Sequence, residues 1–241
     1  MKLAVIPARG GSKRIPRKNI KNFCGKPIIS YSILAAIESN LFDRVLVSTD
    51  DEEIAAVSRE YGADVPFVRP PDLANDHAGT LPVIHHAIDT LKNMGEQYEH
   101  VCCLYATAPF VNPSDLTRGF EILKTSGAEY AITTTSFAYP IQRALKFTLS
   151  GRIAMFQPEN YYKRSQDLEH AYHDAGQFYW GKASAYLQRL PFFAEHSVPV
   201  LLPRQRVQDI DTLEDWERAE LMHKAWNAMA DHDLLTGKVG D

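Results

Sequence analysis

Seven segments within the first 137 residues alternate between short apolar runs and longer stretches with a helical hydrophobic period. "LAVIP", "RVLVST", "HVCCLYAT" and "AITTTSF" are too short for helices and mostly apolar, as strands covered on both faces are. Between them, "PIISYSILAAIES", "DEEIAAVSREYG" and "PSDLTRGFEILKTSG" read as helices. Ile54, Val57 and Tyr61 fall on one helical face, as do Leu116, Phe120 and Leu123, and Leu81, Ile84, Ile88 and Leu91. This alternation predicts a mainly parallel sheet between two helical layers, a three-layer Rossmann-like α/β fold. Ligands in such sheets lie outside the carboxyl ends of the strands. The loop after Pro7, "STD" at 48–50 and "YATAP" at 105–109 all stand at such ends.

With 45% hydrophobic and 23% charged residues, the 241-residue chain reads as a single domain over 1–241. A net charge of -4 excludes a general nucleic-acid binder, which needs a broad basic surface. No apolar run approaches the ~20 residues of a membrane span and no leader pattern opens the chain, so a cytoplasmic protein without a membrane partner is expected. Cys102 and Cys103, adjacent within an apolar run, fit buried reduced thiols better than a disulfide or a zinc site. No pair of histidines has metal spacing on a common face. From 139 to 175 the helical period disappears. "ALKFTLSGRIAMF" reads as a hairpin around Ser150 and Gly151, and the tyrosine-rich stretch after it as an inserted arm for contact with another subunit. Segments 176–190 and 198–212 are expected to return to the sheet. Thr212 and Asp215 have capping spacing before the last helix, and "TGKVGD" is expected to fray.

Charge is distributed unevenly. Residues 1–37 hold eight Lys and Arg and no Asp or Glu, and "IPARGGSKRIPRKN" concentrates five of those cations beside two glycines. Gly10 and Gly11 permit positive φ and close backbone approach, so their N–H groups can form an anion nest to which Ser12 adds a hydroxyl. Phosphate is the expected guest, yet neither the P-loop nor the dinucleotide spacing is present. Near the other end, Asp209 and Asp211 in "VQDIDT" would share one face of an extended segment with Ile210 turned to the core. Two hard carboxylates facing phosphate suffice for Mg2+, and Asp211 has equally the position of a helix cap.

The words "PARGGSKRIPRKN", "GKPIISYSI", "VSTDDEEIA", "VPFVRPPDLAND" and "DIDT" occur in an order that resembles the CMP-sialic acid synthetase family. These cytidylyltransferases activate nine-carbon acidic sugars. The resemblance covers nearly the whole chain and implies a nucleotide-diphospho-sugar transferase fold, CTP as nucleotide, Mg2+ as cofactor and a homodimer built through the arm. Carried over by matching words, it implies CTP contacts from Arg9, Gly10, Gly11, Ser12, Lys18 and Asn19, with cytidine-side contacts from Arg69 and Thr80. Arg9 and Lys18 would stabilise departing pyrophosphate, and Asp209 and Asp211 would hold the metal.

The chain also departs from the sialate pattern. "YATAP" replaces a glutamine word with Tyr105, and "HDAGQFYW" at 173–180 offers His173, Asp174, Gln177 and Tyr179 where the family has an Arg and an Asn. Phe192 and Phe193 match an aromatic pair of the family's acyl pocket and are also ordinary core residues. The arm supplies Gln142, Arg143 and Arg164 as candidates for the sugar carboxylate, with Tyr161, Tyr162 and Lys163 beside them. A pocket so altered is expected to read a different stereochemistry, that of pseudaminic acid, with N-acylneuraminate or legionaminate as alternatives. A non-catalytic nucleotide-binding regulator is the alternative from another class, and it would have no need of the metal pair.

Overall fold

The computed structural model describes residues 1–236, with side chains through 228, so the expectation for the terminal "TGKVGD" lies largely outside the described residues. Strand β1 (Lys2–Pro7) leads through the basic loop into a two-strand ribbon, β2 (Asn22–Phe23) and β3 (Lys26–Pro27). Helix α1 (Ile28–Glu38), β4 (Arg44–Ser48) and α2 (Glu52–Glu60) follow, then α3 (Thr80–Asn93), β5 (His100–Leu104), α4 (Pro113–Ser126) and β6 (Tyr130–Ser136). Beyond the hairpin β7 (Leu145–Phe147) and β8 (Ile153–Met155) come β9 (Tyr172–Lys182), α5 (Ala183–Leu187), β10 (Ser197–Leu201) and α6 (Leu213–Thr236).

The six-stranded sheet has the order β10-β6-β9-β5-β1-β4. β1 runs parallel to both β4 and β5, and β6 to β10, while β9 is antiparallel to its two neighbours. The chain leaves β1 for β4 on one side and reaches β5 on the other, so the crevice beside β1 is a topological switch point.

Burial explains the unbroken apolar strands. Along β1, Ala4 and Ile6 pack with Ile29, Ile33 and Leu116 on one face, while Leu3 and Val5 pack with Ile84, Ile88 and Leu91 on the other. Cys102 and Cys103 obey the same alternation, falling in opposite layers as free, fully buried thiols. A third, smaller core gathers Ile15, Phe23, Ile28, Phe110, Ile210, Trp216 and Ala219. It anchors the basic loop through Ile15 and the acidic loop through Ile210.

Three expectations need correction. Residues 209–211 are not extended strand: β10 stops at Leu201, Pro203 follows, and Arg204–Arg206 make a short 3-10 turn that sends Arg206 inward. Ile210 is nevertheless buried, as its apolar character requires. Gly10 and Gly11 do not adopt positive φ; in that loop the left-handed residue is Arg17, at φ 55°. The arm is also shorter than 139–175, since Tyr172, His173 and Asp174 already pair with Ser136, Thr135 and Thr134 as the start of β9. The hairpin around Ser150 and Gly151 forms as read, and Thr212 and Asp215 make the reciprocal cap, with Asp215 N donating to Thr212 Oγ1 at 3.2 Å and Thr212 N to Asp215 Oδ2 at 2.8 Å.

Gly181 sits where β9 crosses two buried rings, and a methyl there would lie 2.5 Å from Tyr130 Cδ1 and 2.8 Å from Tyr186 Cε2. Both rings are fully buried and neither has room to swing. Gly181→Ala should therefore destabilise the protein by about 1–3 kcal/mol, read as a lower denaturant midpoint with an unchanged m-value.

Candidate active site

A cavity of about 540 Å³ opens over the carboxyl ends of β1 and β5. The basic loop supplies Arg9, Ser12, Lys13, Arg14, Lys18 and Asn19 to its wall; Arg69, Asp76 and Thr80 close a second side, and Tyr105 and Asp211 a third. Of the residues singled out in the sequence, Arg9, Ser12, Lys18, Asn19, Arg69, Thr80, Tyr105 and Asp211 meet here. Segments separated by almost two hundred residues thus share one recess.

Each cation of the loop has found a carboxylate. Arg9 Nη1 lies 2.5 Å from Asp76 Oδ1, and Lys13 pairs with the other oxygen of the same side chain. Arg14 Nη2 is 2.8 Å from Asp211 Oδ1, which Lys18 Nζ approaches at 3.6 Å while donating to Ile210 O at 2.6 Å. Hydrogen bonds from Lys13 and Arg9 hold the Asp76 carboxyl down at about 2. Asn19 fastens the two arms of the loop by donating from Nδ2 to Arg9 O at 2.9 Å. Arg17 does not join the cavity, because it turns away to Asp51 and Glu53. The importance of Lys13, Arg14 and Asp76 was missed. All three lie in quoted words, but their pairing spans more than sixty residues and leaves no local signal.

Gly10 and Gly11 contribute no nest of the expected kind. Gly10 N is already bound to Asp50 Oδ1 at 3.1 Å, and the residue is glycine because a methyl would lie 2.6 Å from Asp51 Oδ2. Arg69 is only 3% exposed, with backbone N bonded to Thr49 O, so it does cover a strand end. Its guanidinium also borders the cavity with Nε and Nη2 unpartnered. Burial lowers its pKa and Asp50, 4.0 Å away, partly offsets this. Its Nη1 donates to Leu73 O at 3.4 Å, and a buried guanidinium whose other two nitrogens lack hydrogen-bond partners favours an incoming acceptor.

The remaining residues form a separate region around β9. Tyr105 Oη is 3.3 Å from Thr80 Oγ1, and its ring meets Tyr179 edge-on. Tyr179 is buried and donates its hydroxyl to Asp174, whereas His173 packs on Phe137. Phe192 belongs to the aromatic core with Tyr130, Tyr179 and Tyr186, while Phe193 is 69% exposed. Within the arm, Gln142 Nε2 donates to Glu169 O, Arg143 donates to Lys163 O, and Arg164 makes a bidentate pair with Asp167. Apart from Tyr105 and its partner Thr80, none of these residues lines the cavity.

Gln177 has a different position from the one expected of a sugar ligand. Its side chain is buried, with Nε2 donating to Arg206 O at 2.5 Å and Oε1 unpartnered. Arg206 in turn binds buried Asp115, which also accepts from Arg118 at 2.8 Å. This knot anchors the loop that carries Asp209 and Asp211. Because Thr212 is the cap of α6, the Asp211 carboxylate is free to face Lys18 and Arg14. Asp209 is outside the cavity wall and keeps an exposed edge, yet desolvation, and then the Asp211 charge, push its carboxyl up. Among the described residues no group of three or more His, Cys, Asp or Glu could hold a metal by itself.

The cytidylyltransferase family profile matches residues 3–230, and the chain belongs to that family. It is therefore a nucleotidyltransferase. The chain is 48% identical over 222 residues to the pseudaminic acid cytidylyltransferase of Campylobacter jejuni serotype O:2, covering 92% of this chain and 96% of that one. It is 34% identical over 225 residues to the CMP-N,N'-diacetyllegionaminic acid synthase of Legionella pneumophila, covering 90% and 94%. The solved CMP:2-keto-3-deoxy-manno-octonic acid synthetase complexed with CTP has the same fold, with a TM-score of 0.67 over 93% of this chain and 98% of that chain at 16% identity. The mainly parallel architecture expected from strand-helix alternation is thus borne out.

The knot behind the acidic loop makes a stability prediction. Asp115 is held below its ordinary pKa against the opposing effect of burial, chiefly by hydrogen bonds from Arg206 and Arg118. A depressed folded pKa contributes stability above the unfolded value of about 3.9, and that contribution disappears as pH falls through the folded one. Asp115→Asn should lose about 3–5 kcal/mol at neutral pH, because Arg206 is left as an uncompensated buried charge. Denaturation series at pH 7 and below pH 4 should show the gap between variant and parent narrowing with acid.

Proposed function

We propose that this chain transfers CMP from CTP to the anomeric hydroxyl of pseudaminic acid, releasing pyrophosphate. The observation that carries the reading is the 48% identity to a pseudaminic acid cytidylyltransferase over nearly the full length of both chains. The cavity is chemically suited to it. Four cations, Arg9, Lys13, Arg14 and Lys18, surround a space that a triphosphate would neutralise, and Arg69 offers unpartnered N–H groups to the nucleotide. The sugar hydroxyl oxygen attacks the α-phosphorus as the bond to the bridging β-phosphate oxygen breaks, and the hydroxyl proton is released to water. Arg9 and Lys18 then meet the negative charge that accumulates on pyrophosphate.

Asp209 and Asp211 fit a hard divalent cation, which we take to be Mg2+. Asp209 is crowded by a neighbouring carboxylate and by desolvation, a strain that a cation relieves, and two carboxylates suffice where phosphate oxygens complete the shell. Bound there, the metal would supply Lewis-acid polarisation of the phosphate. Ser12, Asn19 and Thr80 would orient the nucleotide, and Tyr105 the sugar beside it. A homodimer is the proposed assembly, supported by the exposed Phe147, Leu149 and Tyr162 of the 139–175 segment, and it would carry Gln142, Arg143 and Arg164 toward a partner's site. The cytosol, where CTP is made, is the proposed compartment, and the three free cysteines are consistent with it.

Pyrophosphate release from CTP and Mg2+ with each purified acid tests the substrate. Pseudaminate should be favoured over N-acetylneuraminate by at least about tenfold in kcat/KM, since each misplaced polar group costs ~1–3 kcal/mol. Equal values would leave a general nonulosonate enzyme, and preference for legionaminate would move the assignment to that acid. CTP binding with no pyrophosphate from any acid would favour a regulatory nucleotide binder. Lys18→Ala should lower kcat by about 10²–10³ while calorimetric CTP affinity falls far less, because its charge is met most strongly in the transition state. Equal losses would make Lys18 a ground-state clamp.

A further inference from the structure

The word "STDDEE", which begins with the last residue of β4, has no assigned role in the reaction just described, yet its Asp50, Asp51 and Glu53 bind the basic loop from behind. Asp51 is the most engaged of them. Its Oδ1 accepts from Ile54 N at 3.0 Å as the cap of α2 and from Arg17 Nη2 at 2.8 Å, while Oδ2 accepts from Arg17 Nη1 at 2.5 Å. Glu53 grips the same guanidinium. The Asp51 side chain also lies directly beneath Gly10, close enough that no Cβ fits at that position. Next to it, Asp50 accepts the Gly10 N–H.

One carboxylate therefore touches both arms of the loop. The first arm carries Arg9, one residue before Gly10. The second carries Lys18, one residue after Arg17, whose left-handed backbone is a conformation that L side chains rarely adopt. Arg17 is the residue from which the short turn Lys18–Ile20 begins, and it has no side-chain bond of its own to that turn. Its carbonyl accepts from Ile20 N and Lys21 N at 3.0 Å each, and its guanidinium is held from outside by Asp51 and Glu53.

We propose that Asp51 is a positioning residue for phosphoryl transfer: by clamping Arg17 and seating Gly10, it sets the spacing at which Arg9 and Lys18 face the departing pyrophosphate. This rests on the reading that Arg9 and Lys18 are the cations of the reaction. The carboxylate itself never meets substrate, because both its oxygens are taken by the loop and by α2. Glycine at position 10 is part of the same device, since any larger residue would push the carboxylate away from Arg17.

Asp51→Asn keeps an oxygen for the Ile54 N–H, as Asn caps helices as well as Asp does, and removes the charge that holds Arg17. It should lower kcat by about 10- to 100-fold, while calorimetric affinity for CTP changes by less than about threefold. Arg17→Gly reads the same clamp from its other end, because glycine tolerates the left-handed backbone and α2 keeps its cap. It should lose kcat to a similar extent, and the double variant should be no worse than the poorer single, as for residues acting as a unit. If Asp51→Asn does not fold, Arg17→Gly decides alone. Intact kcat with only a lowered unfolding temperature, or losses that multiply in the double variant, would overturn the clamp. Lys18→Ala is the control for the parent reading: full turnover there would overturn that reading and the clamp with it, whereas a slow Lys18→Ala beside a fast Asp51→Asn would overturn the clamp only.

Discussion

Five like charges within ten residues repel one another, and the organisation of this protein around its cavity follows from how that repulsion is relieved. The basic loop has no acidic residue of its own, so every counter-charge arrives from a distant segment. Asp51 and Glu53 come from the start of α2, Asp76 from the segment before α3, and Asp211 from the loop before α6. The four carboxylates divide into two kinds. Those from α2 hold Arg17 outside the cavity, whereas Asp76 and Asp211 stand inside it, where a polyanion would compete for the same cations. Positive charge is thereby kept concentrated in one recess without destabilising the free protein.

Apolar burial makes that encounter possible. Ile15 and Ile210 are each fully or almost fully buried in the same minor core, with Phe23, Ile28 and Trp216. This contact brings the basic loop and the acidic loop together although they are nearly two hundred residues apart in sequence. A second fastening comes from behind, through Gln177, Arg206 and Asp115. Since Gln177 belongs to β9, the antiparallel strand that interrupts the parallel sheet also ties the acidic loop to the main core.

The cavity and the arm are built differently. The cavity is walled within one chain by loops that leave the carboxyl ends of parallel strands. Tyr105 borders the cavity, whereas Arg143 and Arg164 are occupied within the arm, where several large apolar residues are exposed. The arm thus turns polar groups inward and large apolar groups outward.

Strand-helix alternation was enough to read the α/β class, because periodicity is a property of neighbouring residues, whereas the cytidylyltransferase family and the gathering of Arg9, Lys18, Arg69, Thr80 and Asp211 were implied by the resemblance that the quoted words carry. Gln177 shows where such reading stops: a polar residue in a substrate word is a ligand or a brace according to which backbone carbonyl lies opposite, and that carbonyl belongs to Arg206. The glycines of the basic loop were read as a source of positive φ, and one of them exists for the space that Asp51 needs. Phe192 and Phe193 are adjacent and chemically alike, yet one is core and the other exposed. Pairings across tens or hundreds of residues decide these roles, since the energy of a buried contact depends on what the fold brings opposite a side chain and not on what precedes it in the chain.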